Sequence, residues 1–150
     1  MKNKVNVKQA SLNDANEIAQ LFDAYRVFYK QESDLALALT FISQRLENNE
    51  SVIFYAQDEA QNYLGFTQLF PSFSSVSAQR TWILNDLFVK PNLRSSGIGT
   101  MLLTKAKEFA IQTNTKGISL ETSASNTRAQ KLYESLGYTK DTEFSYFLKV

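Results

Sequence analysis

The stretch Leu87-Phe-Val-Lys-Pro-Asn-Leu-Arg-Ser-Ser-Gly-Ile-Gly-Thr100 joins a strand to a helix through a turn that contains glycine. Pro91 ends the strand, because proline lacks the N–H group that a strand ladder needs. The first turn of the following helix has backbone N–H groups without partners and the positive end of the helix dipole. Glycine lets this backbone approach an anion closely, and Arg94 adds positive charge. The pattern predicts a site for a pyrophosphate.

The residues around the glycines narrow the kind of phosphate site. Hydroxyl groups of Ser95, Ser96 and Thr100 offer further hydrogen bonds. A Walker loop needs a lysine after its second glycine, and Thr100 stands there instead. A dinucleotide fingerprint needs a third glycine, but position 102 is Leu. Neither of these two familiar phosphate motifs therefore describes the turn.

Periodicity and turn residues predict the other elements as an α/β order, β-α-α-β-β-β-α-β-α-β-β, with helices on the faces of a mixed sheet. Strands are predicted at Val5–Gln9, Val52–Gln57, Asn62–Phe70, Arg80–Lys90, Gly117–Glu121 and from Tyr138 onward, and a Ser-rich loop at Pro71–Ser77. Helices are predicted from caps at Ser11 or Asp14 through Tyr29, and at Asp34–Asn48, Gly97–Thr113 and Asn126–Leu136.

The composition excludes several kinds of chemistry. The 150 residues include no cysteine and no histidine. A thiolate nucleophile, a zinc–thiolate site and a Ser-His-Asp triad are therefore impossible, and we expect no metal site. A net charge of +1 gives no general attraction to nucleic acid or membrane. Residues 1–7 lack the apolar stretch of a secretory signal, so we expect a cytoplasmic protein.

Two blocks of sequence carry a family resemblance. The first is Arg-x-x-Gly-x-Gly after a Val-x-Pro strand end, within Leu84–Leu103. The second, within Leu120–Tyr138, contains Asn126 followed by Leu-Tyr-x-x-Leu-Gly-Tyr. In both blocks the sequence resembles the GNAT superfamily of N-acetyltransferases. The resemblance implies a single domain over residues 1–150, with a mostly antiparallel sheet of about six to seven strands.

The resemblance also implies which residues bind acetyl-coenzyme A. Backbone groups of Leu87, Phe88 and Val89 would hold the pantetheine arm and the acetyl carbonyl. Asn126 matches a position that hydrogen-bonds the coenzyme, and Arg128 adds to a basic rim. The residues that would wrap the pyrophosphate are Arg94, Ser95, Ser96, Gly97, Ile98, Gly99 and Thr100.

Acid and base roles follow from the same resemblance. Tyr133 matches the usual general acid, and a phenol of pKa about 10 can protonate a departing thiolate of pKa about 8.5. The attacking amine must lose a proton, so a carboxylate or water is needed as base. Asp86 lies beside the acetyl-binding strand, and Glu121 matches a base position in some relatives; both stay open, with a slight preference for Asp86.

The acceptor is expected to be a small cation. The block Leu84–Val89 is similar to the polyamine-acetylating branch, although that branch tends to have Glu where this chain has Asn85. The first two helices usually form the acceptor wall, and residues 14–50 contain seven carboxylates against three basic residues. Aromatic rings and acids can hold an ammonium group together. The candidate acceptor residues are Tyr25, Phe28, Tyr29, Glu32 and Trp82.

Other functions remain open at this point. The chain could acetylate a lysine or the N-terminus of a protein, or bind an acyl-coenzyme A without turning it over. The aromatic alternation over Tyr138–Leu148 could pair across a homodimer, although the same pattern serves an internal sheet.

Overall fold

The computed structural model describes residues 4–150. Residues 1–3, which belong to the segment 1–7 that lacks the apolar stretch of a secretory signal, lie outside the described part. The described chain forms two compact units, one that ends at Leu120 and one from Glu121 to Val150. The first unit contains the sheet. Its strands are β1 (Val5–Gln9), β2 (Val52–Asp58), β3 (Tyr63–Ser74), β4 (Gln79–Val89) and β5 (Ile118–Ser119).

The sheet is mixed and mostly antiparallel, as predicted. Its strand order is β1-β2-β3-β4-β5, with antiparallel pairing from β1 to β4 and parallel pairing between β4 and β5. Three helices accompany it in the first unit: α1 (Ala15–Phe28), α2 (Leu35–Glu47) and α3 (Ile98–Gln112). Successive side chains of a strand point to opposite faces of the sheet. The contacts of successive residues therefore show which helix packs on each face.

Helices lie on both faces of the sheet. On one face, Ile53 and Tyr55 join the buried cluster of α1 and α2, in which the Phe22 ring stacks on Phe41 with centroids 5.3 Å apart. Phe54 points to the other face and meets Phe109 of α3 at 5.3 Å. Burial of these apolar side chains on both faces is the main force that holds the layers together.

The helix starts follow from capping side chains. Asp14 accepts the backbone N–H of Ser11 at 2.8 Å and stands immediately before α1. Asp34 accepts the N–H of Leu37 at 3.0 Å and so caps α2. The Asp34 oxygen satisfies one of the N–H groups that the first turn of α2 leaves unpaired, whereas the Asp14–Ser11 hydrogen bond closes the capping box of a short 3-10 turn, Leu12–Asp14, before α1. Asp14 was predicted as a cap, and Asp34 only as the start of its helix.

The prediction of a loop at Pro71–Ser77 is wrong over its first half, because β3 continues to Ser74 and pairs with β4 there. Pro71 is opposite Trp82. The pairing of β2 with β3 starts at Val52 and Leu69, so β3 has no β2 partner at Pro71. Proline is tolerated at such an edge because its missing N–H is not needed on that side.

The second unit contains one helix, α4 (Thr127–Ser135), and the predicted strands after Tyr138 are not formed. Residues 139–150 carry no strand, and the sheet has five strands rather than six to seven. A strand needs a neighbour that takes up its backbone hydrogen bonds, and alternation of apolar residues does not supply one. Between residues 4 and 150, no helix is both long and apolar enough to cross a membrane.

We expect Gly65→Ala to destabilise the fold. A Cβ atom at Gly65 would lie 2.6 Å from the backbone oxygen of Phe88 on the paired strand, so the β3–β4 ladder would have to move. Overpacking of this kind costs about 1–3 kcal/mol. Thermal unfolding should show a lower Tm for this variant. Gly117→Ala is the control, because a Cβ there meets nothing within 4 Å; equal Tm values for the two variants would contradict the close approach.

Candidate active site

The edge of β4 that faces β5 is only partly paired. Parallel pairing joins Trp82 to Ile118 and Ile83 to Ser119, and no strand in the described chain continues it along Leu84–Val89. An unpaired strand edge presents backbone N–H and C=O groups to a ligand. This segment includes Leu87, Phe88 and Val89, and the backbone-binding role that the resemblance implies for them stays a prediction.

The turn after β4 has the geometry of an anion-binding loop. A short 3-10 turn, Pro91–Leu93, follows Lys90. After it, the φ angles of Ser95 and Gly97 are positive, at 69° and 89° respectively. Backbone in alternating right- and left-handed conformations turns successive N–H groups toward one point. Gly97 is the N-cap of α3, which starts one residue later than predicted, at Ile98.

Exposure within the turn matches a ligand-binding role. Ser95, Ser96, Gly97 and Thr100 are exposed, whereas Ile98 is buried beneath them and fixes the start of α3. The exposed part thus carries the backbone donors and hydroxyl groups, and Ser96 also hydrogen-bonds the Leu93 carbonyl. The residues present fit a pyrophosphate, since the N-terminus of a 15-residue helix and a basic side chain meet in one exposed turn.

Arg94 connects the turn to β4 and α1. Its Nε donates to the Val89 carbonyl at 3.1 Å. Its guanidinium lies over the rings of Phe28, at 4.8 Å from the centroid, and Phe88, at 5.6 Å. Such stacking keeps the charged group oriented while it remains exposed. Phe28, which was predicted to bind the acceptor, therefore contacts Arg94, which was predicted to bind the coenzyme.

A β-bulge in β4 sets the position of Asp86. Gln68 pairs with Asp86 and Leu69 with Leu84, so Asn85 is one extra residue with no partner of its own. A bulge of this kind shifts the alternation of side chains along the strand. Asp86 therefore shares a face with Phe88 and α1, whereas Leu84 faces the α3 side.

Asp86 is a buried carboxyl group, with a relative exposure of 2%. Gln68 Nε2 donates to its Oδ2, and Asn85 Nδ2 donates to its Oδ1 at 3.1 Å. Burial raises the pKa of Asp86 above the ordinary aspartate value, although hydrogen bonds from Gln68, Tyr25 and Asn85 act in the opposite direction. A carboxylate with a raised pKa is a stronger base than an exposed aspartate.

The predicted acceptor residues on α1 lie beside this carboxyl group. Tyr25 packs edge-on against Phe66 and Phe88, with centroids 5.9 and 6.3 Å away, and its hydroxyl donates to the Asn85 carbonyl at 3.3 Å. Tyr29 follows at 4.9 Å from Tyr25 and is 56% exposed. Tyr25 and Tyr29 thus form an aromatic row that runs from the bulge of β4 to solvent. Exposed Glu32 follows this row in the α1–α2 connection.

Trp82 does not belong to this group. It lies on the opposite face of the sheet, where its ring is 5.2 Å from Phe109 and its Nε1 donates to Thr113 Oγ1 at 3.0 Å. It also lines a cavity of about 370 Å³ beside the C-terminal end of α3, on that same side. The bulge at Asn85 is the reason, because unbroken alternation would place Trp82 and Asp86 on one face. We therefore remove Trp82 from the acceptor wall.

Most of the acidic residues predicted for that wall have other partners. Asp14 accepts from Tyr63 at 2.6 Å, buried Asp23 accepts from Ser33 at 2.6 Å, and Asp34 caps α2. Glu50 is 3.1 Å from Arg45 in an ion pair. Within the described chain, the other three of the seven carboxylates are exposed and have no comparable partner or capping role: Glu17, Glu32 and Glu47.

The second unit carries the remaining predicted residues. Asn126 is the N-cap of α4 and accepts the Ala129 N–H at 3.1 Å, so its side-chain oxygen is already engaged. Arg128 is exposed on the first turn of α4, and Glu121 is exposed before the helix. Tyr133 is partly buried, with its ring 5.8 Å from Tyr138. Burial, and then the charge of Tyr133, raises the pKa of Tyr138 to about 12.

Two buried polar residues were missed from sequence. Gln68 is fully buried, and Ser51 donates to its Oε1 at 2.8 Å, which turns the Gln68 amide nitrogen toward Asp86. The available signal was a glutamine in the middle of an apolar strand, since buried polar side chains are rare and need partners.

We expect Gly97→Ala to weaken coenzyme A binding. Its φ of +89° is left-handed, where a side chain costs about 1–2 kcal/mol, so the turn must change shape or the fold loses stability. Gly137→Ala is a matched control with a φ of +97° and equally open surroundings. Calorimetry with coenzyme A should show weaker binding for Gly97→Ala alone, although both variants lose Tm. Equal affinity in both variants would contradict the anion-binding role of the turn.

Comparisons with known proteins agree with this geometry. The sequence matches the model of the Acetyltransferase (GNAT) family over residues 15–138. The uncharacterized N-acetyltransferase YhfO of Bacillus subtilis (strain 168) is 49% identical over 143 residues, which are 95% of each chain. A crystal structure of a probable acetyltransferase is 41% identical, covers 97% of each chain and superposes with a TM-score of 0.92. A thialysine N-epsilon-acetyltransferase of Bos taurus is 31% identical over 80 residues, or 53% of this chain and 46% of its own.

The family match spans both compact units, and the most extensive similarities cover nearly the whole chain. This chain therefore belongs to the GNAT family and is an acetyl-coenzyme A-dependent N-acetyltransferase.

Proposed function

We propose that the acceptor is the primary amine of a small cationic molecule, and that it attacks acetyl-coenzyme A directly in a ternary complex. The observation that carries this proposal is the aromatic row on α1, which leads from solvent to the buried Asp86 beside the acetyl-binding edge of β4. Tyr25 and Tyr29 offer ring faces to an ammonium group, and Phe28 beside them already carries the Arg94 guanidinium on its ring. Glu32 adds a negative charge at the open end.

The basic and acidic sides of the site suit the two substrates. Lys90 and Arg94 flank the turn that fits a pyrophosphate, and Glu32 lies in the α1–α2 connection. A cationic acceptor is attracted to the second region and an anionic donor to the first. The similarity to an enzyme named for thialysine, an amine substrate, supports the same class of acceptor.

The residues perform three tasks in this proposal. Backbone groups of Leu87, Phe88 and Val89 position the thioester along β4. Asp86, with its raised pKa, takes up the proton that the amine must lose as its nitrogen attacks the acetyl carbon. Tyr133, the general acid that the resemblance implies, protonates the departing thiolate. Glu121 is the alternative base.

Direct attack follows from the composition of the chain. With no cysteine and no histidine, the chain lacks the usual acyl-enzyme nucleophile and the imidazole that would activate a serine. A neutral amine is itself a good nucleophile, so only its deprotonation and correct placement are required.

An amine panel tests the acceptor. In a thiol-release assay with acetyl-coenzyme A, we expect diamines and lysine-like amines to be better substrates than neutral or anionic amines. Glu32→Gln should raise the KM of a diamine by about two- to five-fold at low salt, because an exposed charge pair contributes up to about 1 kcal/mol. Glu47→Gln removes the same charge at the far end of α2 and is the control. Turnover on peptides alone, or equal KM values in both variants, would contradict the proposal.

We also infer a homodimer from the C-terminal tail. Phe144, Tyr146, Phe147 and Leu148 are 83–96% exposed in the described chain. Single chains rarely leave such a contiguous apolar surface uncovered, and a second copy would cover it. Sedimentation velocity should show a dimer that weakens in Phe144→Ser/Tyr146→Ser, with α-helix content unchanged. A monomer at all concentrations would rule the dimer out.

A further inference from the structure

The buried position of Asp86 raises a question about how it can serve as a base. Its exposed fraction is 2%, and its two carboxyl oxygens already accept hydrogen bonds from Gln68 and Asn85. An acceptor amine in the aromatic row therefore has no direct path to this carboxyl group. A group that reaches both the row and the carboxyl group has to connect them.

Tyr25 is placed to make this connection. Its hydroxyl lies 3.3 Å from the backbone oxygen of Asn85, the residue next to Asp86. A hydrogen bond from the same hydroxyl lowers the pKa of the Asp86 carboxyl group. The ring is held by edge-on contacts with Phe66 and Phe88, so the hydroxyl has a fixed position. Tyr25 is itself only partly buried, and its ring neighbour Tyr29 is exposed.

We propose that Tyr25 is a proton relay, which passes the proton of the acceptor amine to the buried Asp86. The inference rests on the proposed function and adds a catalytic residue to it. A phenol suits this task, because its pKa of about 10 is close to that of an alkylammonium group, about 10.4. The onward transfer to Asp86 is driven by the N–H group of the amine, which becomes more acidic as the nitrogen bonds to the acetyl carbon.

Bond formation and the first two proton transfers occur together. The amine nitrogen forms a bond to the acetyl carbon, and its proton moves to the Tyr25 oxygen. The Tyr25 proton moves at the same time to the Asp86 carboxylate, so Tyr25 ends as it began. The bond between the acetyl carbon and sulfur then breaks, and the thiolate takes a proton from Tyr133. Asp86 returns its proton to solvent after the product has left, and Tyr133 regains one.

The surrounding hydrogen bonds hold the carboxylate for this purpose. Ser51 fixes the Gln68 amide so that its nitrogen, not its oxygen, faces Asp86. Thr67 Oγ1 donates to the backbone oxygen of Asp86 at 2.8 Å and fixes the main chain beside the bulge. Burial raises the pKa of Asp86, and hydrogen bonds from Gln68, Tyr25 and Asn85 lower it in part.

Kinetics of Tyr25→Phe test the relay. The variant keeps the ring contacts and loses the hydroxyl, so we expect kcat to fall by about 100-fold with unchanged binding of coenzyme A. Asp86→Asn should cause a similar loss, and the double variant should be no worse than either, because both residues serve one path. Tyr63→Phe is the matched control, since it removes a tyrosine–aspartate hydrogen bond of 2.6 Å, to Asp14, and should keep wild-type kcat.

Three kinetic results would overturn the relay. Wild-type kcat in Tyr25→Phe would show that the hydroxyl is not needed. A loss confined to KM, with the acidic limb of the pH–rate profile unmoved, would show that Tyr25 only packs against the acceptor. Losses that add in the double variant would place the two residues on separate paths.

A second measurement needs no substrate. The hydrogen bond from Tyr25 lowers the pKa of Asp86, so its removal should raise that pKa further. Carboxyl ¹³C NMR, assigned by the signal lost in Asp86→Asn, should show this rise in Tyr25→Phe and not in Tyr63→Phe. An unchanged titration would overturn the relay. If the wild-type protein acetylated no amine while the NMR shift was present, the proposed acceptor would be wrong and the Tyr25–Asp86 contact would stand.

Discussion

The pairing of β3 with β4 around the bulge at Asn85 is the constraint on which the site depends. One extra residue in β4 shifts the side-chain alternation, so that Asp86 and Phe88 face α1 while Leu84 and Trp82 face α3. Without this shift Asp86 would lie on the α3 side, away from Tyr25. The bulge thus brings a carboxyl group and an aromatic row together beside the strand edge proposed for the acyl donor.

The second constraint is the early end of pairing between β4 and β5. Within the described chain only Trp82 and Ile83 are paired with β5, so this edge of β4 continues unpaired through Val89 into the turn before α3, while the other edge stays paired with β3. Unpaired backbone groups are a liability in most sheets, because they invite association with other chains. Here the same edge leads into the N-terminus of α3, where the helix dipole and exposed donors favour a phosphate group. The extended donor therefore has a binding surface made mostly of backbone.

Asp86 illustrates a conflict between stability and activity. Because burial raises its pKa, the folded chain binds this proton more tightly than the unfolded chain does. Its contribution to stability is therefore greatest below the unfolded pKa and is lost as pH rises through the folded pKa. Once ionised, the buried carboxylate is a cost to folding, and the hydrogen bonds from Gln68 and Asn85 offset part of it. Such a cost is typical of a group retained for chemistry.

Much of the architecture was determined by local sequence. The turn at Arg94–Gly97 and the caps Asp14 and Asp34 predicted the starts of α1, α2 and α3 within one residue. Capping, proline stops and left-handed glycine act between near neighbours, so the chain itself encodes them. Sequence also indicated that Asp86 and Tyr25 belong to the candidate site, and the structure brings these two residues together.

Tertiary structure decided the features that depend on partners distant in sequence. Pro71 lies in a strand because it pairs with Trp82 of β4 at a level that β2 does not reach, and residues 139–150 form no strand despite their alternation. Trp82 fell on the opposite face because register across β3 and β4, not periodicity, places the bulge. Ser51 and Gln68 are 17 residues apart in the sequence, and their side chains meet only in the folded core. Their place in the site therefore also depends on tertiary structure. A sequence specifies local conformation through neighbouring residues, whereas register and buried hydrogen bonds exist only when strands are assembled.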